Sequence, residues 1–299
     1  MKNESEKKSP ALSRFGHAFA SWMYSFDTNR RRTQAGLKKK SIQAGSHIIA
    51  YVEGGNGETV LLLHGIGMDK DNWVRFARYL KKMYHVIAPD LPGFGESSVV
   101  LSEGYDIESQ VKRIHEFILK VGLTKFHLAG NSMGGLIAGI YAADHPDEIL
   151  SLGLIDPGGV MDREPSPIAL EVAKGNNPLV PTQPSDFDVL LKFVFVKPPF
   201  IPGIVKLYLG EQAAARKDFN QRVFIEAKPE DQLERRMKDI RAKTLIIWGD
   251  TDRVFPVSGA PLLNKGIAAS KLVIMKDCGH VPMFERPEET AGYYLEFIR

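Results

Sequence analysis

Hydrophobic and polar positions along this chain follow two periods, one typical of strands and one typical of helices. From about residue 40, short apolar runs with β-branched residues alternate with stretches of helical spacing. This alternation predicts a parallel sheet with crossover helices. The predicted strands are Ser41–Ile42 with His47–Val52, then Val60–His64, His85–Pro89, Lys125–Ala129, Ile149–Ile155, Thr244–Trp248 and Lys271–Met275, and the predicted helices lie near 72–82, 107–121, 133–144, 257–267 and 287–298.

The rhythm of strands and helices breaks after Asp156. Residues 157–236 are rich in proline and mix short helical patterns with aromatic side chains such as Phe187, Phe193 and Phe200. We interpret this segment as a helical cap inserted into the sheet domain. The predicted core then consists of residues 41–156 and 237–299.

The N-terminal arm, residues 1–40, has a different character. Leu12, Phe15, Phe19, Trp22 and Phe26 recur at helical spacing, so residues 12–26 predict an amphipathic helix, which basic residues at 30–32 and 38–40 follow. The arm carries ten Lys/Arg and three Asp/Glu, although the whole chain has a formal charge of only +3. A basic amphipathic arm favours peripheral contact with an anionic membrane through residues 12–40. Packing on the cap or in a dimer is the alternative.

Composition narrows the class of protein. The chain is 43% hydrophobic and 25% charged, as in ordinary globular domains. Its single cysteine, Cys278, excludes an internal disulfide framework and any multi-cysteine metal site. The body has no basic run or nucleic-acid motif, so we expect no nucleic-acid partner. With neither a signal peptide nor a membrane-spanning run, we expect a cytoplasmic protein that associates peripherally with membranes; the oligomeric state stays open.

The strongest chemical signal is the run Gly130-Asn131-Ser132-Met133-Gly134, which matches G-x-S-x-G. It lies between an apolar strand and an apolar helix, where a sharp turn exposes the serine. Small residues two positions before and after the serine relieve the crowding of that turn. Ser132 is therefore the predicted nucleophile, and the alternative is a glycine-rich turn with a bystander serine.

A serine hydroxyl needs a base, and the base needs an acid to orient it. Where this turn carries a catalytic serine, the acid and then the histidine follow it along the chain. Of eight histidines, only His280 follows the late acidic candidates. Asp252, just past a strand end, is the favoured acid. Asp250 and Asp156, which also lie at strand ends, are its rivals.

A tetrahedral intermediate also needs two backbone N–H donors for its oxyanion. Met133, directly after the nucleophile, supplies the first predicted donor. Ile66, in the turn His64-Gly65-Ile66-Gly67, supplies the second. We expect His64 itself to brace that turn.

Several of these motifs together resemble the α/β-hydrolase superfamily from about residue 44 to the C-terminus. A narrower set is similar to monoacylglycerol lipases and small bacterial lipases. The broad motifs are His64-Gly65, the Asp90–Ser97 loop, the Ser132 turn, Gly249-x-x-Asp252 and Gly279-His280; the narrower ones are Gln110–His115, Gly130–Gly135, Ile247–Gly249 and the cap segments Asn176–Leu179 and Lys197–Pro202.

This resemblance implies a mostly parallel eight-stranded sheet flanked by helices, with an inserted helical cap. It also implies hydrolysis of lipid carboxylic esters, acylglycerols above all, through an acyl-enzyme on Ser132 and without metal or organic cofactor. Hydrolysis of C–C bonds or lactones on the same three residues is the enzymatic alternative. A non-catalytic ligand-binding scaffold is the alternative of a different class.

Overall fold

One sheet organises the computed structural model, which describes residues 12–161, 165–228 and 230–299. Its strands run in the order β1-β2-β4-β3-β5-β6-β7-β8, and all neighbours are parallel except β1 with β2 and β2 with β4. The predicted mostly parallel eight-stranded sheet is thus confirmed. The strands are β1 (Lys38–Ala44), β2 (His47–Gly54), β3 (Glu58–Leu63), β4 (Tyr84–Pro89), β5 (Phe126–Asn131), β6 (Ile149–Ile155), β7 (Lys243–Gly249) and β8 (Ser270–Met275).

Helices cover the sheet and fill the segment between β6 and β7. The segment predicted as the cap contains α5 to α9 in its described part, and its separation from the core as a domain stays a prediction. The helices are α1 (Arg14–Gln34), α2 (Val74–Leu80), α3 (Ile107–Lys120), α4 (Met133–Asp144), α5 (Pro167–Ala173), α6 (Asp186–Val194), α7 (Gly203–Ala215), α8 (Lys217–Ala227), α9 (Gln232–Arg236), α10 (Gly259–Gly266), α11 (Pro282–Glu285) and α12 (Pro287–Ile298), with 3₁₀ helices at Lys70–Trp73 and Met237–Asp239.

The core has two layers because the central strands are apolar on both faces. Side chains of β3 alternate between the layers, with Leu61 and Leu63 on one side and Leu62 on the other. α3, α4 and α10 cover the first face, and α2 and α12 cover the second. Parallel strands end at one edge of the sheet, so the loops after β3, β5, β6, β7 and β8 meet there, where ligands bind in such sheets.

α1 is longer than its apolar pattern predicts. It begins at Arg14, behind an N-cap in which Ser13 Oγ accepts the Gly16 N–H at 3.1 Å, and it ends at Gln34. The helix therefore includes the basic residues 30–32, and Lys38–Lys40 already lie in β1. The predicted end of the helix at residue 26 is wrong, because its last two turns are polar and show no apolar period. Residues 1–11 of the predicted arm lie outside the described residues.

A buried ionic network attaches α1 and the loop after β3 to the loop after β4. Lys70 is 1% exposed, and its Nζ lies 2.7 Å from Oδ2 of the fully buried Asp90. Asp90 also accepts the backbone N–H groups of Lys70 and Glu96 at 2.7 and 2.8 Å. From α1, the Arg32 guanidinium donates to Asp71 at 2.6 Å. Buried carboxylates are tolerated only with such partners, so this network holds two loops of the sheet edge in place.

We expect Lys70→Met to lower the free energy of unfolding by about 3 kcal/mol, because Asp90 stays buried without its cation. Lys39→Met is the matched control. It removes a half-exposed partner of Glu96 and should cost less than about 1 kcal/mol. Urea denaturation measures both values, and equal losses in the two variants would contradict the assigned role of Lys70.

Candidate active site

Ser132 occupies the turn between β5 and α4 in a strained backbone conformation, with φ 58° and ψ −124°. A non-glycine residue adopts this region only when its surroundings impose it. Here the Ser132 N–H donates to the Ile155 carbonyl at 3.1 Å, and the Ser132 carbonyl accepts from Leu136 and Gly158 at 3.0 and 3.1 Å. Neighbouring strand and helix therefore clamp the turn from both sides.

The glycines beside Ser132 are required by close backbone contacts. A β-carbon at Gly130 would overlap the Gly134 carbonyl oxygen, and one at Gly134 would overlap the Leu63 carbonyl oxygen. Any side chain at either position would push β3, β5 and α4 apart. The crowding inferred from the motif is therefore present in the structure.

His280 lies in the loop after β8 and is hydrogen-bonded to Asp252, in the loop after β7. Its Nδ1 lies 2.8 Å from Asp252 Oδ2, and both side chains are buried. Asp252 Oδ1 accepts the N–H groups of Val254 and Phe255 at 2.7 and 3.1 Å. Because Nδ1 donates to the carboxylate, Nε2 of a neutral His280 is left as the acceptor that a general base needs.

Asn131 holds the loop of His280 next to the serine turn. Its Nδ2 donates to the carbonyls of His280 at 2.9 Å and Ile155 at 3.0 Å. The Ser132 hydroxyl makes no hydrogen bond with another described residue. Hydrogen bonds of this kind are often long without substrate and shorten in the reactive complex.

The two rival acids lie in different surroundings from Asp252. Asp250 is exposed, and its Oδ1 accepts the neighbouring Thr251 hydroxyl. Asp156 is fully buried at the end of β6, has a positive φ of 43°, and accepts the Gly249 N–H through Oδ1 at 2.9 Å. Neither forms a hydrogen bond with the His280 ring in the described part of the chain, so the geometry favours Asp252 as its partner.

Asp156 and Asp252 are both buried, and a carboxylate oxygen of one lies within 4.8 Å of a carboxylate oxygen of the other. Burial, and then the charge of Asp252, raise the pKa of Asp156 well above its usual range. Asp156 accepts a single N–H donor, from Gly249, so hydrogen bonds do little to stabilise its ionised form. We infer that Asp156 holds the proton and stays neutral at neutral pH.

The turn after β3 lies against the serine and offers the second predicted oxyanion donor. A β-carbon on Gly65 would lie 2.9 Å from Ser132 Cβ, so the Gly65 backbone packs directly against Ser132. Among the described residues, the N–H groups of Ile66 and Met133 donate to no acceptor. Two unpaired N–H groups beside Ser132 are suited to stabilise an oxyanion.

His64 braces this turn, as expected. Its Nδ1 donates to the Gly65 carbonyl at 2.8 Å, and its Nε2 accepts the Leu91 N–H at 2.9 Å. Burial lowers the pKa of His64, so the ring is neutral with its proton on Nδ1. Both nitrogens are occupied, which leaves no free position for direct chemistry.

Sequence reasoning missed two residues that position the site. Asn131 was only a variable position of the motif. Glu285, in α11, accepts the Gly279 N–H at 3.0 Å and, from the segment after α6, the Lys197 N–H at 2.8 Å. It therefore links the segment predicted as the cap to the loop of His280. No local sequence pattern predicts that contact.

A cluster of potential metal ligands lies at the far end of α4, about 20 Å from Ser132 at 1.5 Å per helical residue. It consists of His115, His145 and Glu148. Tyr141 lies among them, donating to Glu148 at 2.6 Å and contacting His115 Nδ1 at 3.1 Å. These hydrogen bonds account for the cluster without an ion.

A mostly parallel sheet with a serine on a strained strand–helix turn, and a bonded His–Asp pair on later loops, is the arrangement of an α/β-hydrolase. The chain belongs to this family, since the family described as alpha/beta hydrolase fold matches residues 58–189 and 207–287. The resemblance inferred from the motifs is confirmed. The individual roles of Ser132, Asp252 and His280 stay predictions.

Curated relatives and a solved structure are similar over most of the chain. Lipase 1 of Psychrobacter immobilis is 38% identical over 90% of this chain and 86% of that protein. Monoacylglycerol lipase ABHD6 of Bos taurus is 34% identical over 82% of this chain and 76% of that protein. The crystal structure of a membrane phospholipase A, a bacterial virulence factor, has a TM-score of 0.91 at 46% identity, covering 94% of this chain and 91% of that one.

We predict that Asp156→Asn keeps most ester turnover, because an amide mimics the protonated carboxyl, whereas Asp252→Asn loses roughly 10⁴-fold. Asp250→Asn, at an exposed position, is the neutral control. Steady-state kinetics on a soluble ester separates the three variants. A large loss in Asp156→Asn with none in Asp252→Asn would reverse the assignment.

The free energy of unfolding should also depend on the proton of Asp156. The unfolded chain loses the Asp156 proton above about pH 4, whereas the folded chain retains it to a higher pH. The contribution of Asp156 to stability therefore falls as pH rises through this window, and Asp156→Asn removes that loss. Urea denaturation from about pH 4 to about pH 7 should show the variant gaining on the wild type, and a constant difference would argue that Asp156 is ionised.

Proposed function

We propose that this enzyme hydrolyses carboxylic esters of lipids through an acyl-enzyme on Ser132, with acylglycerols as the expected substrates. The observation that carries the proposal is the strained Ser132 turn beside a buried His280 whose Nδ1 is hydrogen-bonded to Asp252 at 2.8 Å. Relatives named lipase and monoacylglycerol lipase, and a structure named phospholipase, support lipid esters as the substrate class.

The reaction follows from the directions of the hydrogen bonds. His280 Nε2 takes the Ser132 proton as Oγ attacks the ester carbonyl carbon, and Asp252 stabilises the imidazolium. The N–H groups of Ile66 and Met133 hold the oxyanion of the tetrahedral intermediate. His280 then protonates the leaving alcohol and later deprotonates the water that releases the fatty acid. Every step uses side chains and backbone of this chain.

The surroundings of the proposed base favour an apolar substrate. The Phe255 ring packs edge-on against the His280 ring at 5.5 Å. The backbone N–H of His280 donates to the Val194 carbonyl at the end of α6, at 2.9 Å. Partly buried Leu190, Phe193 and other apolar side chains from the predicted cap pack on the same core layer as this loop. An acyl chain entering here replaces water with apolar contacts.

We predict that Ser132→Ala lowers kcat by about 10⁴-fold or more, because the acyl-enzyme cannot form. Ser102→Ala, at an exposed turn, is the matched control and should act as the wild type. The assay is a panel of monoacylglycerols and p-nitrophenyl esters of increasing chain length. Undiminished turnover in Ser132→Ala would refute the nucleophile.

The same panel should include a lactone and a substrate for C–C hydrolysis. Faster turnover of either one than of any ester, lost in Ser132→Ala, would favour the enzymatic alternative. Absence of turnover on every substrate in the wild type would favour the binding scaffold.

We further propose that α1 brings the enzyme to a lipid bilayer. One side of this helix presents an aromatic stripe of Phe15, Phe19, Trp22 and Phe26, which are 83%, 44%, 60% and 59% exposed. Phe19, Trp22 and Phe26 stack as two consecutive pairs, with 6.0 Å between the Phe19 and Trp22 rings and 5.7 Å between those of Trp22 and Phe26. Aromatic side chains on a helix with basic residues are typical of interfacial membrane binding.

The opposite side of α1 is attached to the protein. Ala20 is buried there, and the His17 and Tyr24 rings pack against Tyr208 of α7, at 4.9 and 6.2 Å. Packing on the segment predicted as the cap and contact with a bilayer therefore use different faces of one helix. None of the helices in the described ranges combines the length and apolar character that a bilayer span requires. The cytoplasmic location expected from the sequence stays a prediction.

We predict that Trp22→Ser with Phe26→Ser weakens binding to phosphatidylcholine vesicles at least about tenfold, because two interfacial aromatic groups are lost. The control, Leu101→Ser with Leu119→Ser, removes two exposed apolar side chains from other elements. Vesicle co-sedimentation measures binding. Equal binding by both double variants would refute the contact, and a dimer that dissociates in the aromatic variant alone would assign the stripe to self-association instead.

A further inference from the structure

A cavity of about 320 Å³ lies between the C-terminal half of α1, α2 and the start of α12. We name it the arginine cavity because arginines dominate its wall. It is separate from the Ser132 site, since neither the serine nor its proposed partners line it. Its lining residues are Arg30, Arg31, Arg75, Arg78, Gln34, Tyr79, Val74 and Pro287.

The positive charge of the arginine cavity is only partly neutralised. Arg30 and Arg31 share one carboxylate, Asp27, at 2.8 and 2.6 Å. Arg75 and Arg78 form no salt bridge within the described ranges. Their guanidinium groups lie instead over aromatic rings, Arg75 at 4.5 Å from the Phe284 centroid and Arg78 at 5.3 Å from that of Tyr79. The Tyr79 hydroxyl contacts a second carboxylate, Glu288, at 3.5 Å. Four cations thus face two nearby carboxylates around a concave surface.

The crowding of cations has an electrostatic cost that an anion would relieve. Arg75 is half-buried, and burial together with the charge of Arg31 lowers the pKa of its guanidinium. No carboxylate occurs among the described residues of the lining. A wall of this kind favours an anionic ligand over a neutral one.

The donors suit a phosphoryl group in particular. Guanidinium groups present paired N–H donors that match the oxygens of a phosphate. Gln34 and Tyr79 add neutral polar groups to the same wall. The cavity is also larger than a single phosphate ion needs, so it has room for the atoms that carry the phosphoryl group.

The position of the cavity indicates where that group comes from. Phe26 of the aromatic stripe and Arg30 of the cavity are four residues apart on α1, and therefore lie one turn apart on one side of the helix. A helix that buries this stripe lies along the bilayer surface, with its apolar face at the boundary between acyl chains and headgroups. Arg30, on the same side of the helix as Phe26, then lies close to the headgroups. The arginine cavity then opens at the level of the phosphates.

We propose that the arginine cavity binds the phosphoryl group of an anionic phospholipid and so orients the enzyme on the bilayer. This inference rests on the membrane contact proposed for α1, and it adds a headgroup preference to it. The lipid held here is a ligand and need not be the ester that reaches Ser132. Binding at the cavity fixes which face of the protein meets the lipid surface.

The test compares two double variants of equal charge. Arg75→Gln with Arg78→Gln removes the two unpaired cations of the cavity. Arg235→Gln with Arg241→Gln removes two exposed arginines elsewhere, one in α9 and one before β7. Both full-length proteins are sedimented with vesicles of phosphatidylcholine alone and of phosphatidylcholine mixed with phosphatidylglycerol. Turnover of a soluble ester, p-nitrophenyl butyrate, confirms that each variant is folded and keeps its basal activity.

We expect the cavity variant to bind the mixed vesicles about 30-fold more weakly than the wild type, since each arginine near an anionic surface contributes about fivefold. Its binding to phosphatidylcholine vesicles should change much less, and the control variant should bind both vesicles nearly as the wild type does. This result would show that the aromatic stripe contributes to binding of all bilayers, whereas the arginine cavity contributes only to binding of anionic bilayers.

Two outcomes would overturn the proposal. Equal losses in the two double variants would mean that general surface charge, and not the cavity, attracts the protein. Unchanged vesicle binding by the cavity variant, with saturable binding of inorganic phosphate lost in that variant, would assign the cavity to a free phosphate and refute the headgroup. Failure of the stripe gives a different result: the Trp22→Ser, Phe26→Ser protein then binds phosphatidylcholine vesicles as the wild type does, and a weaker binding of mixed vesicles by the cavity variant still supports the headgroup site.

Discussion

The strained turn at Ser132 is the constraint on which the remaining geometry depends. A serine at φ 58° is unfavourable by itself, so the surrounding backbone must supply the energy that keeps it there. α4 does this with an almost wholly buried apolar surface, and β6 does it through the Ile155 carbonyl. The close packing leaves no room for side chains at Gly130 and Gly134. Core packing and the proposed chemistry are therefore coupled, because any relaxation of the turn moves the Ser132 side chain.

The sheet edge then determines which groups can reach that turn. The loops after β7 and β8 bring Asp252 and His280 together, whereas the loop after β6 brings a second buried carboxyl, Asp156. Two adjacent buried carboxyls cannot both ionise without a large cost. The unequal number of N–H donors decides which one keeps its proton. A neutral Asp156 adds no second negative charge next to the hydrogen-bonded Asp252 and His280, as the proposed reaction requires.

Local patterns predicted the strands, the serine turn, His280 and the favoured acid, because each carries a signal within a few residues or follows from chain order. They could not predict the contacts of Asn131 and Glu285, whose partners lie on distant segments. The pattern of α1 stopped at residue 26 because an apolar period cannot identify polar helical turns. The raised pKa of Asp156 could not be predicted from the sequence either, since it depends on the burial of two groups that are 96 positions apart in the chain.

α1 is part of the folded body and not a loose arm, and this changes how membrane contact would act on the enzyme. Arg32 joins the helix to Asp71, and the adjacent Lys70 joins that segment to Asp90. The N–H of Leu91, directly after Asp90, donates to His64, and His64 in turn donates to the Gly65 carbonyl in the turn next to Ser132. A continuous set of buried polar contacts thus runs from the helix with the aromatic stripe to the reactive edge of the sheet. Because buried ionic contacts resist displacement, a bilayer that holds α1 also sets the direction in which the Ser132 site faces.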